Sequence, residues 1–295
     1  MSVPRPDPAA APSVQASPAT SGSTRRARPP PGTLLALGVL AYVGAELVHE
    51  ALGHGLSCMA GGGSWRGFSS AWSVCDSAEM GEGARRWTAA AGTAASIATG
   101  AVSLAALRLF AWRRAEPYGG LWLFAAICLL SGAGELMSLP LFHFGDWAEV
   151  LHGPMEGPAA RGLGCAVGVA LAAASLAGLR TAIAPLLADG DTSARVRDAR
   201  WLCWLPFLAV GCGLMSAVAF LNVLGLHHAL PTALSTVGST SLLIWIPFTV
   251  ESVHASRDGR RLHPMEERRA LWLLGVAVAV FALLALGPGI PLNRP

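Results

Sequence analysis

Thr33-Leu-Leu-Ala-Leu-Gly-Val-Leu-Ala-Tyr-Val-Gly-Ala-Glu46-Leu-Val-His49-Glu50-Ala-Leu-Gly53-His54-Gly55 is the stretch that decides how this chain folds. Nothing between Thr33 and Ala45 is charged, and the apolar run extends over 33–58. A helix needs roughly 20 such residues to cross a bilayer. The rest of the 295 residues agrees: 53% are hydrophobic and 13% charged, with a mean hydropathy of +0.49. A soluble domain carries about 25% charged residues. The bilayer core has no water to solvate charge, so spanning segments exclude it. The expected fold is all-α, a polytopic membrane helix bundle with about seven transmembrane helices.

Six further apolar windows follow, at 87–112, 119–143, 161–187, 201–227, 231–252 and 270–288. Residues 1–32 are Pro, Ala, Ser, Thr and Arg; they cannot bury a core and are expected to be disordered. The chain thus divides into a tail (1–32), a three-helix membrane core (33–152) and a four-helix bundle of no evident role (153–295). Every basic residue is Arg, and the arginines are dispersed among loops rather than gathered on one face, a pattern that does not suggest nucleic-acid binding, so no nucleic-acid partner is expected. Their alternation from loop to loop favours a cytoplasmic N-terminus and an outside C-terminus, in a plasma (inner) membrane. Trp residues gather at helix ends, as an aromatic belt does. Gly61 to Gly63 frees the chain from the first helix, and the stretch to Arg86 is expected to form a short hairpin at the membrane surface. Cys58 and Cys75 flank this loop and could pair if it faces an oxidising compartment. Cys128, Cys165, Cys203 and Cys212 fall in apolar runs as small buried residues.

The first window also carries the chemistry. A charge at the centre of a membrane helix costs roughly 2.5–3.5 kcal/mol on insertion scales. Glu46, His49, Glu50 and His54 nonetheless cluster there, as residues do that line a cavity, pair, or bind metal. His-Glu with a second His nearby is the core of zinc hydrolase motifs: two imidazoles hold Zn²⁺ and the Glu takes a proton from the attacking water. The usual ligand spacing is i, i+4. Here it is i, i+5, about 140° apart on a regular helix of about 100° per residue. A one-residue π-bulge would restore convergence, and such bulges concentrate at functional sites. Gly53 eases the distortion. Glu135 lies at a similar depth in the third window, where an unpaired carboxylate is costly, which makes it a candidate third ligand.

Two resemblances bear on this motif. His49-Glu50-Ala-Leu-Gly53-His54 resembles the His-Glu-x-x-Gly-His motif of the dipeptidyl-peptidase III family, whose longer spacing still binds zinc. Over residues 33–152 the chain resembles the site-2 protease family of intramembrane zinc proteases. The early His-Glu motif is followed by Gly92-Thr93-Ala-Ala-Ser96, similar to the family's Gly-Pro-x-x-Asn with Thr93 and Ser96 in place of Pro and Asn. Then comes Ser138-Leu-Pro140-Leu-Phe-His143-Phe-Gly145-Asp146, similar to the segment ending Leu-Asp-Gly, although here Gly145 precedes the Asp. The resemblance implies Asp146 as third zinc ligand and Glu50 as general base. It also implies Ser96 and Ser138 as substrate-positioning residues and a membrane-anchored polypeptide as substrate. Asp146 and Glu135 both stay open as the third ligand.

Other groups are weighed against these. Glu46/His49, Glu149/His152 and Glu251/His254 each form a Glu-x-x-His pair, a pattern that can hold two metals in a helix bundle. The last pair falls at the opposite membrane face from the first. His143 is a substitute ligand beside Asp146. His227 and His228 read as interfacial and His263 as solvated. Two alternatives to an intramembrane zinc endopeptidase are carried forward: a non-catalytic metal-binding membrane protein, and a transporter that relays ions or protons through buried Glu and His. Oligomeric state is not legible.

Overall fold

The computed structural model describes residues 28–70, 72–142, 145–153, 156–187, 192–222, 226–252 and 262–292. The expected disordered tail therefore lies almost wholly outside the described residues, as do His143 and His254. Among the described residues, seven helices are long and apolar enough to cross a membrane. They are α1 (Pro31–Ala60), α2 (Glu82–Leu109), α3 (Ala115–Phe142), α5 (Pro158–Leu186), α6 (Thr192–Phe220), α7 (Ala229–Thr249) and α8 (Arg269–Leu286). A short helix, α4 (Asp146–Val150), lies between α3 and α5. The chain has the expected all-α architecture of a multi-pass membrane protein.

Local chemistry sets the helix starts. Pro31 opens α1, where its missing N–H is no loss and its φ suits the first turn. Gly81 caps α2, and Glu82 in the first turn complements the helix dipole. That start precedes the apolar window at 87, because polar first-turn residues are invisible to hydropathy.

Between helices in lipid, close packing replaces the hydrophobic drive, and small residues permit it. A Cβ on Gly38 would lie 3.0 Å from Pro206, and one on Gly275 2.7 Å from Ala36, so α6 and α8 both press against α1. Trp122 is fully buried on α3, and its indole donates to the Leu179 carbonyl at 3.1 Å. The Tyr118 hydroxyl donates to the Ala182 carbonyl at 2.6 Å, so each buried polar tip has a partner. Leu273, Leu274 and Leu284 on α8, and Leu163 on α5, are exposed, the side chains a lipid-facing surface requires.

The loop after α1 forms the expected hairpin. Strands β1 (Ser64–Phe68) and β2 (Ser73–Asp76) pair antiparallel, with a bulge between Trp65 and Gly67. Arg66 and Asp76 pair across it at 3.0 Å. A disulfide joins Cys58, near the end of α1, to Cys75 in β2. A third strand, β3 (Ile290–Pro291), pairs with β1 to give the order β2-β1-β3. Hydropathy gave no sign of it. The Gly287-Pro-Gly-Ile-Pro sequence after the last window turns at Gly289, whose φ is +96°, and returns the chain to β1.

Candidate metal centre

The second part of α1 carries the site because it is not a regular α-helix. Val48–Gly55 is π-helical, so i and i+5 rather than i and i+4 stand above one another. His49 and His54 therefore share a face, with their Nε2 atoms 3.1 Å apart. The widened turn fits its surroundings through glycine. A Cβ on Gly53 would lie 2.5 Å from the Gly92 Cα in α2, and one on Gly55 2.5 Å from the Trp65 indole. The Ser57 hydroxyl lies 2.6 Å from the Gly53 carbonyl and 3.0 Å from that of His54, where π returns to α geometry. Leu52, the residue between, points outward and is 54% exposed.

Each imidazole is oriented through Nδ1. The His54 Nδ1 lies 2.7 Å from the Thr88 carbonyl of α2. A carbonyl only accepts, so Nδ1 carries the proton and Nε2 the lone pair. The His49 Nδ1 lies 3.3 Å from the Ser96 hydroxyl and 3.7 Å from Glu135 Oε1. A carboxylate on that side places the proton there and the lone pair on Nε2.

Asp146, the first residue of α4, completes the group. Its Oδ2 lies 3.1 Å from His54 Nε2 and 3.5 Å from His49 Nε2. Three electron-pair donors this close are compatible only around a shared proton or cation. Ligand atoms sharing a tetrahedral metal at about 2.0–2.1 Å are separated by about 3.3 Å, which these spacings match. The backbone makes room as well, since a Cβ on Gly92 would collide with both Nε2 atoms. His49, His54 and Asp146 could thus hold a metal ion.

The group opens into a cavity of about 500 Å³. Glu50 lines it, 6% exposed, and its Oε2 has no hydrogen-bond partner among the described residues. The hairpin contributes Ser70, Trp72 and Ser73 at one end, with Trp72 held by a 2.9 Å bond from its indole to Asn222. At the other end are Glu46, Ser131, Thr236 and Thr240.

The two candidates for third ligand are separated by position. Glu135 stands at the Nδ1 side of His49, away from Nε2, and its Oε2 accepts from the Thr93 hydroxyl at 2.7 Å. It stands behind His49, while Asp146 joins His49 and His54 in the group that could hold a metal ion. Ser96, 1% exposed, lines the cavity and places its hydroxyl 3.3 Å from His49 Nδ1. Ser138 is not brought to the site: its hydroxyl turns back to the Gly134 carbonyl at 2.8 Å, satisfied within its own helix. Glu149 lines the cavity, while its partner His152 is exposed and gives its carbonyl to Arg86 at 2.8 Å. His263 is exposed, as expected. Sequence reasoning missed Trp147, whose indole donates to the Thr93 hydroxyl at 3.1 Å. Its adjacency to Asp146 was the available sign.

No protein-family model, curated protein or solved structure matches this chain.

Proposed function

We propose that the chain is an intramembrane zinc-dependent endopeptidase acting on membrane-anchored polypeptides. The observation that carries this reading is the convergence of His49, His54 and Asp146 beside a buried carboxylate, Glu50, with an oxygen unpaired among the described residues in the same cavity. Two nitrogens and one carboxylate oxygen, with room beside them, is the donor set of a catalytic zinc rather than a closed structural one. When bound, zinc lowers the pKa of water and polarises the scissile carbonyl. Glu50 takes the proton from the attacking water and passes it to the leaving amine as the C–N bond breaks. The Thr88 carbonyl and the Glu135 carboxylate favour, for the two imidazoles, the tautomer that offers Nε2. The hairpin adds Ser70, Trp72 and Ser73 to the cavity wall.

The arginine pattern supports a cytoplasmic N-terminus in a plasma (inner) membrane, with the site towards the opposite face. The Cys58–Cys75 disulfide supports the same orientation, because such bonds persist in oxidising compartments.

Glu50→Gln tests the reading. In proteoliposomes holding a panel of single-span peptides, with new termini read by mass spectrometry, it is expected to keep its metal and lose cleavage by about 10²–10⁴-fold. Cleavage equal to wild type would refute the peptidase assignment.

A second reading rests on the far end of the cavity. Glu46, Ser131, Thr236 and Thr240 extend it towards the middle of the bundle, which suits an ion- or proton-relaying transporter. That protein would work after chelation and depend on Glu46 and Glu135. A metal-binding protein without catalysis would keep metal and show no dependence on Glu50.

A further inference from the structure

The third metal ligand and the first lie on separate helices, and a chain of buried polar contacts joins them from behind. Trp147 directly follows Asp146 in α4, and its indole N–H donates to Thr93 Oγ1 at 3.1 Å. Thr93, in α2 and 1% exposed, donates through the same hydroxyl to Glu135 Oε2 at 2.7 Å. The other oxygen of Glu135, in α3, stands 3.7 Å from His49 Nδ1. A hydroxyl has one donor and two acceptor sites, so Thr93 satisfies both partners at once. Valine has the same outline and satisfies neither.

We propose that Thr93 is a positioning residue that couples the seating of Asp146 to the aim of His49. This rests on the reading of His49, His54 and Asp146 as metal ligands. One end of the chain fixes α4, so that Asp146 Oδ2 stays near both Nε2 atoms. The other end fixes the Glu135 carboxylate, which holds the His49 ring with Nε2 turned to the same point. Loss of the hydroxyl removes the partner of a buried carboxylate oxygen and of a half-buried indole N–H. Both ligands then lose orientation while every ligating atom remains in the chain. Outer partners of metal ligands act in this way, and their loss typically weakens metal binding 10–100-fold.

The test uses the purified full-length protein in detergent, with Zn²⁺ affinity measured by chelator competition and Co²⁺ as a spectroscopic probe. Thr93→Val is expected to weaken Zn²⁺ binding 10–100-fold and to change the Co²⁺ visible spectrum, with metal-free thermal stability measured alongside. Thr93→Ser keeps the hydroxyl and is expected to restore affinity to within about threefold of wild type, which a purely volumetric role would not allow. Trp147→Phe, which removes only the N–H, is expected to weaken binding in the same direction. Wild-type metal uptake with unchanged Thr93→Val affinity would overturn the coupling and leave the metal reading standing. So would equal losses in Thr93→Val and Thr93→Ser. Wild type that takes up neither ion would overturn both.

Discussion

Gly92 occupies a place in α2 where a side chain would collide with both Nε2 atoms. Its cost is conformational, since Ala is favoured over Gly by about 1 kcal/mol in a helix interior. The two effects have opposite signs, which makes Gly92→Ala informative. The variant is expected to keep or raise its helix stability and to lose its metal, read by thermal melting beside elemental analysis. Full metal content in that variant would mean the imidazoles do not converge on the space beside Gly92. At this scale much was legible. His49, Glu50 and His54 announce themselves because a bilayer penalises such a cluster. The choice between Asp146 and Glu135 was not legible, because depth along a helix says nothing of its rotation. Glu135 faces the Nδ1 side of His49 and Asp146 the Nε2 side, and only the packing of α2, α3 and α4 decides that.

The π-helical turn is the element on which the site depends. The i, i+5 spacing called for such a distortion, and Val48–Gly55 supplies it. What the spacing could not show is how the turn is held. Gly53 lets the α1 backbone approach that of Gly92, and Gly55 lets it pass under Trp65. Gly53→Ala would place a methyl 2.5 Å from the Gly92 Cα, against backbone that has no rotamer to yield. The expected cost is that of overpacking, about 1–3 kcal/mol, seen as a lower melting temperature in detergent. Metal occupancy is expected to fall with it, because α1 and α2 must separate where His54 meets Thr88. An unchanged melting temperature and metal content would show that the helices separate without consequence. The hairpin was legible from the glycines after α1 and the paired cysteines. β3 was not, since two residues leave no periodicity to read.

Over the whole molecule, seven hydrophobic windows are enough to give the bundle, because only helices of that length satisfy their backbone in lipid. The windows do not give the convergence of α1, α2, α3 and α4 on one cavity, which depends on the close approach at small residues. β3 pairs with β1 and so ties the segment after α8 to the hairpin whose Ser70, Trp72 and Ser73 line the cavity. The central claim is that this assembly holds a metal ion between His49, His54 and Asp146. The direct measurement is metal content of the purified protein by elemental analysis, prepared without chelators, beside His49→Ala, His54→Ala and Asp146→Ala. The expected result is about one zinc per chain in wild type, lost or sharply reduced in all three variants. Wild type without metal, or variants that retain it in full, would contradict the account.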